Sequence, residues 1–339
     1  MSSTRKFGWF VGSALATLPY LSGIELGEFY LNPETCARSF RVGRRRLKEL
    51  FGDDITLPVI SCAPLSYGHL ACLGAKIIIP RSSEPVVRPA YATIDEAIGN
   101  LERGTRFEEN ELFNHYLRTQ EYLKREFPDE DVKFSGFGWE GPITSAVLLR
   151  GLGFFTDLHR QPSKTRRYLE LLTDSIVEFI HLTRRINKEP LVNPDGTGLV
   201  DDLSSHINHK LWPEFVVPYW DRLYLKTTSG RRTVHCENLS PDHLKFLEEV
   251  GIVHFDPSVS AKLSPKIIKE KTTVPFTWRL PSFRLLDMSS DGVREWVKQV
   301  TEEGATHVHL YIEEVMCEGE NPNKVHAFIQ QSKAIASNV

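Results

Sequence analysis

Paired cysteines are missing from this chain. Its five cysteines, Cys36, Cys62, Cys72, Cys236 and Cys317, are scattered through 339 residues without a single CxxC. An odd, unpaired set gives no disulfide framework and fits a reducing compartment. No apolar run is long enough to cross a bilayer, and there is no low-complexity tract. No GxGxxG follows an early strand pattern, so a dinucleotide-binding fold has little support. Excess charge is scarce too. A formal net charge of −3 argues against a nucleic-acid binder, which concentrates Lys and Arg. The one basic concentration, "RVGRRRLKEL" (41–50), reads as a solvated helix face because Leu47 and Leu50 follow at helical spacing. The N-terminal "RKFGWFVGSALATLPYLSG" sets basic residues before an apolar stretch, as a signal peptide does. Glycines and aromatics interrupt it, however, and it runs through Pro19 without a polar boundary. The reading is a first strand and a cytoplasmic protein that meets neither membrane nor nucleic acid.

What is present is alternation. With 41% hydrophobic and 25% charged residues the composition is that of a globular protein, long for one average domain but within reach of one large barrel. Strands are expected at 13–21, 132–138, 189–195, 232–237, 251–257, 274–280 and 307–314. "ITLPVIS" and "AKIIIPRSS" should form an extended pair decorating the first connection. Helices are expected at 32–52, with Asn32 capping and Pro33 at the first position, at 141–152, at 162–186, and between the later strands. Strand–helix alternation at this pace predicts a parallel sheet, and seven or eight units ending on a helix predict a closed (β/α)8 TIM barrel. The whole of 1–339 is then a single domain, with 1–130 holding the first strand, an inserted hairpin and helices.

A barrel places chemistry at the C-terminal ends of its strands. By that rule His235, Cys236 and Glu237 share a mouth with Asp256, with Trp278 and Arg279, and with Glu313, Glu314 and Cys317. Asp201, Asp202 and His206 follow one strand, and Trp139 and Glu140 another. His235 and Glu237, two apart, project to one face of an extended segment while Cys236 points away. With Cys317 from across the barrel they make an N/O/S set that zinc accepts, leaving one coordination position open. If the chain bulges, Cys236 replaces Glu237. The plainer reading, a hydrogen-bonded His beside a packed thiol, stays open on spacing alone.

The chain also resembles the uroporphyrinogen decarboxylase superfamily, and within it the zinc-dependent, cobamide-using methyltransferases. The resemblance is carried by "LFGDD" and "LACLGAKIIIP" (50–54, 70–80), "FGWEGPITSAVLLRGLGFFTDLHRQPSKTRRYLELLTD" (137–174) and "FVVPYWDRL" (215–223). It continues through "VHCENLSPDHLKFLEEVGI" (234–252) and "CEGENPNKVHAFIQ" (317–330). It implies a (β/α)8 barrel and a zinc ion held by a His-x-Cys pair and a distant Cys, which here map onto His235, Glu237 and Cys317. Glu stands where the family has Cys, and Asn238–Leu239 stand where it has Gly-Asn. True decarboxylases carry an Arg-Gln-Ala-Gly-Arg motif that grips substrate carboxylates. The equivalent "LPYLSGIELGEFY" (18–30) has no arginine and two glutamates.

The resemblance therefore implies methyl transfer between a small methylated compound, such as a methoxylated aromatic, and cobalamin or another corrinoid on a partner protein. Zinc would act as the Lewis acid. Asp202, Asp256 and Glu313 (or Glu314) are the expected proton-handling or orienting groups. Trp139, His206 and Trp278, together with Trp212 and Tyr219, are the expected substrate pocket. Two alternatives compete. One is a metal-free decarboxylase of a carboxylated tetrapyrrole, with Asp53 or Asp54 and Asp202 moving protons. The other is a non-catalytic barrel that partners a corrinoid protein.

Overall fold

The structure, a computed structural model, describes residues 7–337. Its strands are β1 (Gly8–Ser13), β2 (Lys76–Ile78), β3 (Val86–Arg88), β4 (Gly196–Val200), β5 (Arg231–His235), β6 (His254–Asp256), β7 (Thr277–Arg279) and β8 (His307–Ile312). Strands β4, β5 and β6 form one parallel sheet in that order, and β1, β8 and β7 form another. A parallel bridge between Phe255 and Phe276 ties the two together. The remaining gap, from β1 round to β4, is crossed by two extended segments with few hydrogen bonds. Thr56 N–H donates to Val11 O at 2.8 Å, Leu65 and Phe137 form a parallel bridge, and Gly141 N–H donates to Val200 O at 2.7 Å.

Several expected strands move. The first lies at Gly8–Ser13, not at 13–21, where Pro19 sits inside a short helix, Thr17–Leu21. The segment 132–138 carries only the isolated bridge at Phe137, and the strand expected at 189–195 is at Gly196–Val200. The hairpin pairs Lys76–Ile78 with Val86–Arg88 instead of with "ITLPVIS".

The helices follow their start signals. Asn32 accepts from Glu34 N and Thr35 N at the head of Pro33–Phe51, and Pro162 opens the helix Pro162–Ile186. Along 41–50 the arginines pair at the surface, Arg41 with Glu126, Arg44 with Glu130 and Arg46 with Glu49, as a solvated helix face should.

Side chains alternate across the parallel strands and sort into two faces. Val308, Leu310 and Ile312 of β8, with Val234 and Phe255 from β5 and β6, are buried. The helices Ser290–Glu302 and Asn321–Ser337 pack on β8 and β1. The opposite face of the same strands is polar: Thr233 and His235, His254 and Asp256, Thr277 and Arg279, His307, His309 and Tyr311. Such a face normally carries branched aliphatics; here it carries imidazoles. Glycine makes room for them on β1, since a Cβ at Gly8 would lie 2.2 Å from the His307 ring. No helix among the described residues is long and apolar enough to cross a membrane.

Candidate functional site

Two neighbouring aspartates behind β4 define where structure ends and chemistry begins. Asp201 is fully buried. The helix Pro142–Arg150 has Gly141 at its N-cap, which has no side chain to cap with. Asp201 does this from outside: its Oδ1 accepts from Thr144 N at 2.7 Å and its Oδ2 from Ile143 N at 3.3 Å. Trp220 Nε1–H donates to the same Oδ2 at 2.6 Å. Burial raises the Asp201 carboxyl to about 6 against those three donors.

Asp202 turns the other way. It accepts the Glu237 N–H at 2.8 Å, and its Oδ1 lies 3.6 Å from His235 Nε2. Burial, with the charges of Glu237 and Asp256, raises its carboxyl above the ordinary value. The other ring nitrogen of His235, Nδ1, lies 3.0 Å from Asp256 Oδ2. Asp256 Oδ1 accepts from Ser258 N at 2.8 Å. Burial pulls the imidazole down, but the hydrogen bond and charge of Asp256, with Asp202 and Glu237 adding, win and raise it. Burial pushes Asp256 up, and the same bond to His235 carries it net below the usual carboxylate range. The result is an imidazole held between two carboxylates. Both strands hand over to their loops through left-handed residues, Asn238 (φ 59°) after β5 and Ser258 (φ 46°) after β6.

Glu140, which sequence reasoning placed at the mouth but gave no role, belongs to this group. It is buried, and burial together with the charges of Asp202 and Asp201 raises it to about 8. The mouth continues outward as a carboxylate rim. Burial, then the charges of Glu140, Glu84 and Asp202, raise the Tyr67 phenol. Glu84 accepts from Tyr30 Oη at 2.7 Å. Glu84, Glu313 and Glu314 line a cavity of about 260 Å³ with Thr17 and Ala14.

Arg279 answers this charge only in part. Its Nη2 donates to Glu313 Oε1 at 2.8 Å, and it lies over the Tyr311 ring at 5.4 Å. Glu313 Oε2 also accepts from Ser282 Oγ at 2.6 Å, so each of its oxygens has a partner.

Sequence reasoning also missed His309. It is buried, on the face shared with Arg279 and Tyr311, and its Nδ1 has no hydrogen-bond partner. Burial lowers it to about 4 against the pull of Asp256, and the charges of Arg279 and His235 reach it as well. A histidine in mid-strand carries no sequence signal, since only the strand register shows which face it takes.

The expected zinc set does not assemble. Cys236 is fully buried, its Sγ against Asp201 O and Ser204 Oγ, both at 3.3 Å, so it is the packed thiol of the plainer reading. Cys317 lies in the short turn Glu314–Cys317, its Sγ near Glu313 O at 3.8 Å. Burial, then the charges of Glu318 and Glu314, raise it to about 12. Among the described residues no three His, Cys, Asp or Glu side chains form a group able to hold a metal ion. As placed, His235, Glu237 and Cys317 do not fit zinc: a thiol is turned into its own acidic turn while the imidazole is engaged by two aspartates.

The expected aromatic pocket disperses as well. Trp278 is buried between Thr277 and Arg279 and faces away from them, and its ring meets Phe276. Trp139 is half-buried against the core. Trp212 and Tyr219 are core residues. His206 lies edge-on to Phe155 in a separate apolar cavity of about 500 Å³, with Leu203 and Leu211. That cavity is the larger, yet the only ionisable groups lining it are His159 and His206. The carboxylate mouth therefore remains the better candidate for chemistry. Asp53 and Asp54, the proton carriers of the decarboxylase alternative, pair with Lys48 and Lys333 at the surface.

The family model for uroporphyrinogen decarboxylase (URO-D) matches residues 21–333. No curated protein matches the chain. Among solved structures, a methyltransferase from Methanosarcina mazei is similar in fold: TM-score 0.70 at 14% identity, covering 98% of this chain and 94% of that one. The BexX/CysO complex of Amycolatopsis orientalis gives a TM-score of 0.30 at 15% identity, over 49% of this chain and 63% of that one. The carboxyl transferase domain of Rhizobium etli pyruvate carboxylase gives 0.25 at 10%, over 98% and 48%. These last two likenesses carry no argument.

Proposed function

The chain belongs to the uroporphyrinogen decarboxylase family, and from that premise we propose that it is a methyltransferase of the corrinoid-dependent kind. It moves a methyl group from a small methylated compound to a corrinoid carried by a partner protein. The two parallel sheets and the two extended segments between them are read as one closed eight-stranded (β/α)8 barrel spanning the single domain 1–339. The mouth is formed at the ends of β4 to β8.

One observation carries the choice against decarboxylation. The mouth is rimmed by Glu84, Asp202, Asp256, Glu313 and Glu314, and its nearby arginine, Arg279, is bound to Glu313. A tetrapyrrole bearing eight carboxylates would meet repulsion where it needs guanidinium groups.

The corrinoid, when docked, supplies the cobalt nucleophile. What this chain contributes is control of a proton. A heteroatom that gives up its methyl group keeps the bonding pair and leaves most readily when it carries a proton. His235, held upward in basicity by Asp256, and Glu140, protonated up to about pH 8, are the groups able to hold or supply one. Asp256 fixes the imidazole so that Nε2 faces Asp202. No step requires zinc in this arrangement.

The test is to mix the purified protein with cob(I)alamin and candidate methyl donors and follow methylcobalamin formation by absorbance. Turnover by the natural chain and loss in His235→Ala supports the reading. Equal rates in both, or no turnover with any donor alongside decarboxylation of a porphyrinogen, refutes it.

A further inference from the structure

The other end of the same polar face is basic. His254 is the first residue of β6, Thr277 of β7, His307 of β8, Gly8 of β1 and Arg231 of β5, so all five stand at strand starts, opposite the mouth. Thr277 and Gly8 pair with His307, and Thr233 pairs with His254. Residues paired across a parallel ladder share a face. The two sheets meet here directly: His254 Nε2 lies 2.5 Å from Thr277 Oγ1, and the His254 and His307 rings meet edge to face with centroids 5.1 Å apart. Arg231, two residues before Thr233, is the diagonal neighbour of His254 on this face. Diagonal neighbours lie about 7–8 Å apart, a gap that an arginine side chain spans. The Arg231 guanidinium has no hydrogen bond or ion pair among the described residues.

The corner is open. A Cβ on Gly198, which pairs with Thr233, would meet only the Thr233 hydroxyl, at 3.2 Å. His254 and His307 are half-buried and Arg231 is exposed. Unlike His309 Nδ1, the nitrogens His254 Nδ1 and His307 Nε2 are not sealed: neither has a partner among the described residues, and water reaches both. The protonation of His307 follows from its neighbour. Thr306 Oγ1 gives its proton to Phe276 O at 2.7 Å, so towards His307 Nδ1, 3.3 Å away, it can only accept. Nδ1 therefore carries the proton of the neutral ring, and Nε2 presents a lone pair. Burial lowers both imidazoles. At His254 the charge of His307 adds to this, Asp256 opposes it and Arg231 adds again; at His307 Arg231 adds to burial.

We propose that this corner is a phosphate site, separate from the mouth, in which the Arg231 guanidinium, His254 Nδ1, His307 Nε2 and the Thr233 hydroxyl hold the oxygens of a phosphate group. The donor set decides between anions. A carboxylate has two oxygens and, at neutral pH, no proton. Hydrogen phosphate has four, and one bears the proton that the His307 Nε2 lone pair accepts. The guanidinium fork matches two of the others. The site holds whether or not the mouth transfers methyl groups.

The experiment is calorimetric titration of the full chain with inorganic phosphate, glycerol phosphate, sulfate, acetate and zinc chloride. Phosphate should bind one per chain. Arg231→Gln and His307→Phe should each weaken it about tenfold, and Arg284→Gln, an exposed arginine in the helix after β7, should not. Sulfate brings no proton, so it should bind more weakly than phosphate at pH 7.5 and gain towards pH 6 as the imidazoles charge. Phosphate should also raise the melting temperature of the natural chain and leave that of Arg231→Gln unmoved, a readout that needs no folded His307 variant. Tighter binding of glycerol phosphate would identify a phosphorylated metabolite as the source and tighter binding of inorganic phosphate the free ion; either supports the site. No phosphate binding, binding that survives both substitutions, equal loss in Arg284→Gln, or a preference for acetate or zinc overturns it.

Discussion

Asp201 and Asp202 are adjacent in sequence and opposite in use. Asp201 is sealed behind β4, and its oxygens satisfy two orphan amides of a helix and an indole N–H. Asp202 stands at the mouth, 3.6 Å from an imidazole that Asp256 grips from the other side. Burial raises both carboxyls, but for Asp201 three donors fix the geometry, whereas for Asp202 the partners are themselves titratable. A perturbed carboxyl therefore marks a functional site only when its neighbours can change charge with it.

The contrast breaks most visibly at Asp201. Asp201→Ala strands Ile143 N, Thr144 N and Trp220 Nε1 without a partner and should cost about 3–5 kcal/mol by denaturant unfolding. A smaller loss would mean that water replaces the carboxylate. On the other side, His235→Ala should leave the unfolding midpoint nearly unmoved yet lower methyl transfer about 10²–10⁴-fold, the range for a lost acid–base group. Parallel losses of fold and rate would erase the distinction.

Glu140 sharpens it through pH. Its carboxyl is raised from 4.5 to about 8 in the fold, so the folded state holds a proton that the unfolded chain has released. Stability tied to Glu140 is thus complete below pH 4.5 and declines as pH rises through about 8. Glu140→Gln should flatten that decline in a series of denaturant midpoints against pH. Least of all should happen at the far rim. Cys317→Ser should shift stability by under about 0.5 kcal/mol and leave methyl transfer unchanged, with no zinc held by either form. A drop in zinc content measured by plasma emission would restore the sulfur ligand.

Much of the fold was legible because helices announce their ends. Asn32–Pro33 and Pro162 fix the starts of their helices, since a cap and a proline act locally. Strands beside glycine were not legible. β4 reads "GTGLV", a weak strand former, and β1 sets its strand formers Trp9, Phe10 and Val11 between glycines that are there for space, so apolar neighbours drew the expectation a few residues away. At the site, the strand-end rule found Asp202, His235 and Asp256, which the structure brings together. The same rule could not tell which way Cys317 or Trp278 turns, because a strand end gives a residue's height and not its face. His309 escaped for the opposite reason: it needs the face, and the sequence gives neither partner nor motif for it.

The left-handed residues Asn238 and Ser258 draw a border. His235 and Asp256 lie on the sheet side of it, fixed by the ladder between β5 and β6, while the loops that shape the opening begin beyond. Loops accept insertions and exchanges that sheets do not. Descendants of this chain can therefore reshape their appetite by rewriting the loops past those two kinks, while the imidazole–carboxylate couple passes on undisturbed.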